Sequence, residues 1–147
     1  MASIQRALAL NPNYVDWRFG YPLVIAGHSS RAIDLLKAYM RLDPFHPPLA
    51  SFFVGVAHFM LKEYSQALVV LGDFVSRAPT LAYGHLWLAV THAQLGQLEE
   101  ARSEIAEVLR LNPDTTIAGS IRTLAPFKQA NDGKHFFDGL RKAGLPG

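Results

Sequence analysis

Apolar residues recur at helical spacing through most of the chain. In the stretch 98–112, Ala101, Ile105 and Val108 are three or four residues apart, and charged residues such as Arg102 and Glu104 lie between them. This period places the apolar side chains on one face of an α-helix and the charged side chains on the other. The stretch is therefore predicted to be an amphipathic helix that packs through one face.

Glycines and prolines predict where the helices end. Gly27 and Gly96 supply left-handed turn positions, and Pro44, Pro79 and Pro113 cannot continue a helix. Together with the apolar period, these signals predict three antiparallel pairs, each with a first helix A and a second helix B, at residues 14–26 and 29–42, 48–61 and 64–77, and 82–95 and 98–112. Two further helices are predicted near 115–125 and 132–143.

The three pairs are copies of one unit. Ala32, Ala67 and Ala101, which are 35 and 34 residues apart, each begin an Ala-x3-aliphatic pair in the B helix, and a proline follows each alanine after 12 residues. The A helices carry a small residue at one matched position, namely Gly20, Gly55 and Ala89. A small residue is needed there because the two helices of a pair cross closely. A repeat of this period predicts a solenoid of stacked helix pairs.

These positions resemble the tetratricopeptide repeat (TPR) pattern, Trp-x2-Leu-Gly-x2-Tyr followed by Ala-x3-Phe and Pro, over roughly residues 1–113. The resemblance implies an all-α fold, a TPR-type α-solenoid in which antiparallel helix pairs form a right-handed superhelix with C-terminal capping helices. The Trp and Tyr positions of the pattern depart from it, since they hold Asp16, Ser51 and His85, and Leu23, His58 and His92. The groove chemistry of the family is therefore not assumed to carry over.

A single TPR domain is predicted over residues 1–147. Residues 1–12 resemble the end of a truncated repeat, because Asn11-Pro12 matches Asn112-Pro113. Residues 13–46, 47–80 and 81–114 are the three repeats, and 115–147 are capping helices that cover the apolar face of the last repeat. Since the truncated first helix lacks its partner, residues 1–25 are predicted to form a contact between two copies of the chain.

In TPR proteins the A helices line the concave side, where peptides bind. Carried over by position, the resemblance implies a partner-binding face made of Tyr14, Trp17, Tyr21, Val24, Leu49, Phe52, Val56, Phe59, Tyr83, Leu86, Val90 and Gln94. Such an apolar groove suits a protein or peptide with an apolar face, including another part of a longer parent protein. The carboxylate clamp of chaperone-binding TPR proteins is not expected, because its Lys, Asn and Arg positions are mostly apolar here. The alternative, that these side chains only pack between neighbouring A helices, stays open.

Three histidines of the A helices are candidates for metal binding. His58, His85 and His92 lie along the A helices, but no acidic residue accompanies them at metal-ligand spacing, so they are interpreted as packing histidines. No metal and no cofactor are predicted.

Three residues of the last helix, Asp132, His135 and Asp138, are helix-spaced. The capping helix is expected to be exposed and therefore to offer no pocket for acid–base catalysis. No catalytic residue is predicted, and the chain is interpreted as a non-enzyme.

Composition narrows the choice of partners. The 147 residues carry a formal net charge of +2, and the 14 Lys and Arg residues are scattered, which argues against nucleic acid. There is no cysteine, so disulfides are excluded and a reducing compartment such as the cytoplasm is favoured. No apolar stretch approaches the roughly 20 residues that a membrane-spanning helix requires.

The end of the chain carries a second resemblance. Residues 136–146, with the preceding Ala125-Pro126-Phe127-Lys128, look like the extreme C-terminus of multidomain bacterial class III adenylate/guanylate cyclases, in which a TPR region follows the cyclase domain. This resemblance implies a regulatory or partner-binding region of a bacterial signalling protein. The alternatives are a self-association module that forms a homodimer and a free-standing adaptor that binds an apolar peptide or helix.

Overall fold

The computed structural model describes residues 17–117, 127–128 and 130–145. In these ranges the chain forms a short 3-10 turn at Trp17–Phe19 and seven α-helices, with no strand. The helices are α1 (Gly20–Ile25), α2 (Ser29–Leu42), α3 (Pro48–Met60), α4 (Tyr64–Arg77), α5 (Ala82–Gln94), α6 (Leu98–Leu111) and α7 (Ala130–Ala143). The prediction of an all-α solenoid of TPR type is confirmed.

The helices stack in the order of the chain. Helices α1 and α2, α3 and α4, and α5 and α6 form pairs, and each pair packs on the next through α2 with α3 and α4 with α5. Helix α3 also contacts α1 and α5, so the three A helices lie side by side. We call the surface lined by α1, α3 and α5 the A face.

Most helix bounds agree with the predicted ones. Helices α2 and α4 begin and end at the predicted residues, and α3, α5 and α6 each end one residue early. The first A helix was predicted at 14–26 and is shorter, because a 3-10 turn precedes α1 and residues 14–16 lie outside the described ranges. Helix α7 begins at 130 rather than 132, and most of the predicted helix at 115–125 also lies outside the described ranges.

The A-to-B turns share one backbone geometry. In the first, the His28 N–H donates to the Leu23 carbonyl at 2.8 Å, and Gly27 has a φ of 92°. The third turn repeats this bond from the Gln97 N–H to the His92 carbonyl at 2.9 Å. This is the Schellman arrangement, in which a left-handed residue lets the chain satisfy the last carbonyls of the helix.

The second turn has the same hydrogen bond without a glycine. The Glu63 N–H donates to the His58 carbonyl at 2.9 Å, and the left-handed position is held by Lys62, with a φ of 62°. For a residue with a Cβ, this backbone conformation costs about 1 kcal/mol relative to glycine. Because no glycine stands at this position, the sequence does not predict the left-handed backbone conformation of this turn.

The small residues of the A helices lie where the two helices of a pair cross. A Cβ added at Gly20 would be 2.8 Å from Leu36 Cδ2, and one added at Gly55 would be 2.7 Å from Leu71 Cδ2. The alanines at the matched position of the B helices, Ala32, Ala67 and Ala101, are all completely buried. Helix packing at this distance therefore requires a small residue on both sides of each crossing.

Replacing Gly55 by alanine is expected to destabilise the fold by about 1–3 kcal/mol, because the new methyl group would overlap the Leu71 side chain. Leu71 is fully buried, so its side chain cannot turn out into solvent without losing its core contacts. The free energy of unfolding, measured by urea titration with circular dichroism, checks this.

The matched control is Gly72→Ala on α4, where an added Cβ would meet nothing within 4 Å. This substitution is expected to raise stability by up to about 1 kcal/mol through helix propensity alone. If both alanine variants shifted stability in the same direction, the crossing would not be the constraint described here.

Candidate functional site

The structure separates the predicted binding residues into two groups. Five are partly exposed on the A face: Trp17, Tyr21, Leu49, Tyr83 and Gln94. Six are buried: Val24, Phe52, Val56, Phe59, Leu86 and Val90. Tyr14 lies outside the described residues. The six buried side chains are covered by other parts of the chain, and Phe59 and Val90 are covered by residues of the last helix.

Aromatic rings from all three A helices meet on the A face. Phe53 of α3 lies 5.8 Å from Trp17 and 5.3 Å from Tyr21, measured between ring centroids. On the other side of α3, Phe52 lies 5.0 Å from Tyr83 of α5, edge to face. Rings at these distances attract one another beyond the area they bury. We call these five residues the aromatic cluster.

Phe53 is the member of this cluster that the sequence analysis missed. The repeat register assigned Phe52 to the A face and left its neighbour without a role. The signal that could have found it is the Phe52-Phe53 pair itself, because adjacent helix positions point in directions about 100° apart and can reach A helices on opposite sides.

The tyrosines of the cluster carry no charge near neutral pH. Burial raises the pKa of Tyr21 to about 12, and burial also raises the pKa of Tyr83. The aromatic cluster thus offers rings and neutral hydroxyl groups. Such a surface favours apolar or aromatic side chains over a charged ligand.

Helix α7 packs on both helices of the last pair and covers part of the A face. It packs chiefly on α5, where the Phe136 ring lies 4.5 Å from the Trp87 ring. Gly139 is seated on Val90, and a Cβ added there would be 3.0 Å from Val90 Cβ. Helix α7 was expected to be exposed, and this expectation is wrong, because Phe136, Leu140 and Ala143 are completely buried.

The start of α7 reaches the second helix pair. The His135 ring stacks on Phe59 with 4.5 Å between centroids and 6° between planes, and its Nε2 is 2.7 Å from the Tyr64 hydroxyl. From α5, the Gln94 side-chain amide donates to the His135 carbonyl at 3.3 Å, and Lys142 donates to Gln94 at 3.2 Å. Polar and aromatic contacts thus fix both position and direction of the helix.

The chain before α7 reaches the first pair as well. The Lys128 N–H donates to the Ile25 carbonyl, at the end of α1, over 3.1 Å. The C-terminal segment therefore contacts all three pairs at the ends of their A helices. These contacts reach beyond the last repeat, whose apolar face the C-terminal helices were predicted to cover.

Beside His135 there is an open cleft of about 420 Å³ whose lining includes Lys62, Asp132, Asp138 and Lys142. Burial raises the pKa of Asp132. The hydrogen-bond partner of His135 is the Tyr64 hydroxyl rather than a carboxylate, so the arrangement lacks the Asp–His pair of a general base.

The histidines of the A helices hold the turns together. His58 bonds to Glu63 at 2.9 Å, and His92, one repeat later, bonds to Gln97 at 2.7 Å. His85 bonds through one ring nitrogen to Glu104 and through the other to the Pro79 carbonyl. Among the described residues, no group of three His, Asp or Glu side chains is arranged to hold a metal ion.

His135 is expected to make the seating of α7 sensitive to acid. Burial, followed by the charges of Lys62 and Lys142, lowers its pKa below 6.5, and the charge of Asp138 opposes this only in part. An undocked or unfolded His135 takes up a proton below about pH 6.5, whereas the docked ring does so only at a lower pH, so the stability is present above about pH 6.5 and is lost as the pH falls toward the lowered pKa.

The check compares wild type with His135→Phe, which retains a ring to stack on Phe59 and cannot titrate. Between about pH 7.5 and 5.5, the urea midpoint of wild type is expected to fall more than that of the variant. The other histidines are common to both proteins, and loss of the Tyr64 hydrogen bond affects both pH values equally. Equal falls would show that His135 is not the group responsible.

Of the helices in the described ranges, none is both long and apolar enough to cross a membrane.

Comparison with known proteins agrees with this architecture. The tetratricopeptide repeat family profile matches residues 82–115, which comprise α5 and α6. No curated protein matches the chain. Among solved structures, a crystal structure of MamA has a TM-score of 0.65 at 20% identity, covering 95% of this chain and 81% of that chain.

Two further MamA structures are similar. MamA from residue 41 to the end, from Desulfovibrio magneticus RS-1, has a TM-score of 0.62 at 24% identity over 86% of this chain and 71% of its own. A double mutant, MamA RS-1 ArsTM, has a TM-score of 0.61 at 24% identity over 86% and 70%. At these identities the likeness concerns the fold. The fold of the described residues is therefore that of a TPR-type α-solenoid, and residues 82–115 match the tetratricopeptide repeat profile.

Proposed function

We propose that this chain is a non-catalytic protein-interaction scaffold whose partner binds on the A face. The observation that carries the proposal is the aromatic cluster, in which side chains from three successive A helices come within ring-contact distance while Trp17, Tyr21 and Tyr83 stay partly exposed. Large aromatic residues at a well-packed surface are where binding energy concentrates.

The chemistry of the cluster defines the partner class. Its rings and neutral hydroxyls fit a peptide or helix that presents apolar side chains. Leu49 extends this apolar surface, and Gln94 marks the polar end nearest α7. The buried residues Val24, Phe52, Val56, Phe59, Leu86 and Val90 support this surface from below in the observed conformation.

Peptide selection on the intact chain tests this proposal. Peptides taken from a displayed random library are measured against wild type and the double variant Trp17→Ala/Tyr83→Ala by fluorescence anisotropy. The double variant is expected to raise Kd by more than tenfold, because hot-spot residues cost about 2 kcal/mol or more when truncated. Both side chains are partly exposed, so the helical circular dichroism is expected to persist.

The matched control is Leu42→Ala/Val69→Ala, which removes two side chains that are each 74% exposed on the B helices. It is expected to leave Kd unchanged. Peptides that bind the Trp17/Tyr83 variant as tightly as wild type, or that lose as much affinity in the control, would contradict the proposal.

The biological setting that we propose is the C-terminal regulatory region of a bacterial adenylate/guanylate cyclase in the cytoplasm. This part of the proposal rests on the resemblance of residues 125–128 and 136–146 to the tails of such proteins. Reading the genomic DNA upstream of these codons tests it directly. An in-frame class III cyclase domain supports the setting, and an upstream frame without one refutes it.

Self-association is the second candidate function. It is favoured by a cleft of about 600 Å³ between α2, α3 and α4, bordered by Met40, Val54, Val69 and Val70. Val69 is 74% exposed there, and Phe45, in the turn after α2, is 92% exposed. Light scattering on wild type and Val69→Ser distinguishes this function: a dimer that the serine dissociates supports it, and a monomeric wild type excludes it.

A further inference from the structure

Helix α7 has the residue pattern of a helix that binds in a groove. Its buried positions include Phe136, Gly139, Leu140 and Ala143, whose spacing of i, i+3, i+4 and i+7 forms one stripe, and Gly133, one turn earlier, is buried as well. Lys134, Arg141 and Lys142 are exposed. Anchors at this spacing are how an amphipathic helix binds a groove on another protein.

The three helix pairs do not depend on α7 for contact with one another. Each pair packs on the next through α2 with α3 and α4 with α5, and α7 contacts chiefly α5 and, to a smaller extent, α6. Along the chain, α7 is separated from α6 by residues 112–129. Helix α7 is thus an addition to the A face rather than a layer of the stack.

We propose that the part of the A face under α7 is a helix-binding site, that α7 is its resident intramolecular ligand, and that its external partner is an amphipathic helix with the same stripe. This inference rests on the proposed function, since it names a second portion of the A face and its partner class. In the observed conformation α7 blocks that portion, and a partner helix binds by displacing it.

The contacts of α7 define what such a partner must carry. An aromatic residue matches Phe136, whose ring lies 4.5 Å from Trp87. Three positions later the partner needs a small residue, and glycine fits best, because a Cβ there lies 3.0 Å from Val90 Cβ. Gln94 donates to a backbone carbonyl one residue before the aromatic position, and this bond orients the helix without reading its side chain.

Two glycines on α7 give a matched pair for the experiment. At Gly139 a larger side chain collides with Val90, so Gly139→Leu is expected to release α7. At Gly133 an added Cβ would meet only ordinary contacts, the nearest being Phe137 at 3.7 Å, so Gly133→Ala is expected to leave α7 seated.

The probe is a fluorescently labelled peptide of residues 130–145. It is expected to bind the intact Gly139→Leu chain at least tenfold more tightly than wild type or Gly133→Ala, because only in the first is the site vacant. The same peptide carrying the leucine at position 139 is expected to bind none of the three. Equal binding of the wild-type peptide to a folded Gly139→Leu chain and to wild type would overturn the proposal.

Hydrogen exchange on the wild-type chain decides the matter if Gly139→Leu does not fold. The amides of α7 are expected to exchange through a local opening that leaves α5 protected. Exchange of Leu140 and Ala143 only through global unfolding, together with α5, would show that α7 is a permanent part of the core and would overturn the proposal.

Failure here is distinguishable from failure of the proposed function. Binding of the library peptides is tested by truncating Trp17 and Tyr83. Binding of the α7 peptide is tested by the Gly139→Leu substitution, which is expected to release α7. A negative result with the α7 peptide, alongside library peptides that remain sensitive to Trp17 and Tyr83, removes the second site alone.

Discussion

The close crossing of the two helices in each pair is the constraint on which this structure depends. At Gly20 and Gly55 there is no space for even a methyl group, because Leu36 and Leu71 from the facing helices fill it. A wider crossing would separate α1 from α2 and α3 from α4, and it would change the spacing of the A helices that stack on one another. The ring distances on the A face follow from this spacing. The arrangement of the aromatic cluster is therefore a consequence of the core rather than an independent feature.

The A face is used in two ways along its length. Toward the beginnings of the A helices, aromatic side chains pack against one another and stay partly exposed. Toward the ends of these helices, the C-terminal segment supplies an intramolecular partner through Phe136, Gly139 and His135. The two regions have similar apolar chemistry, and they differ in that one is covered within the same chain.

The sequence predicts the stacked helices well because their signals are local. Residues such as Ala67 and Pro79 mark a crossing and a helix end within one unit, and repetition of the unit makes the signal unambiguous. The site is harder to predict because its exposure is set by residues far away in the chain. Nothing near Phe59 indicates that His135 stacks on it, and nothing near Val90 indicates that Gly139 covers it. Helical periodicity predicts which face of α7 is buried, but it does not predict which helices pack against that face.

Lys62 connects the geometry of a turn with the electrostatics of its surroundings. The first and third A-to-B turns have glycine at the left-handed position, and the second has a lysine whose charge acts on His135. Glycine would relax the backbone there, but it would also remove a cation from the cleft beside α7. Lys62 thus destabilises its own turn and disfavours protonation of the His135 ring. Of the three A-to-B turns, the second alone places a positive charge at the left-handed position, so the surroundings of that turn differ electrostatically from those of the other two.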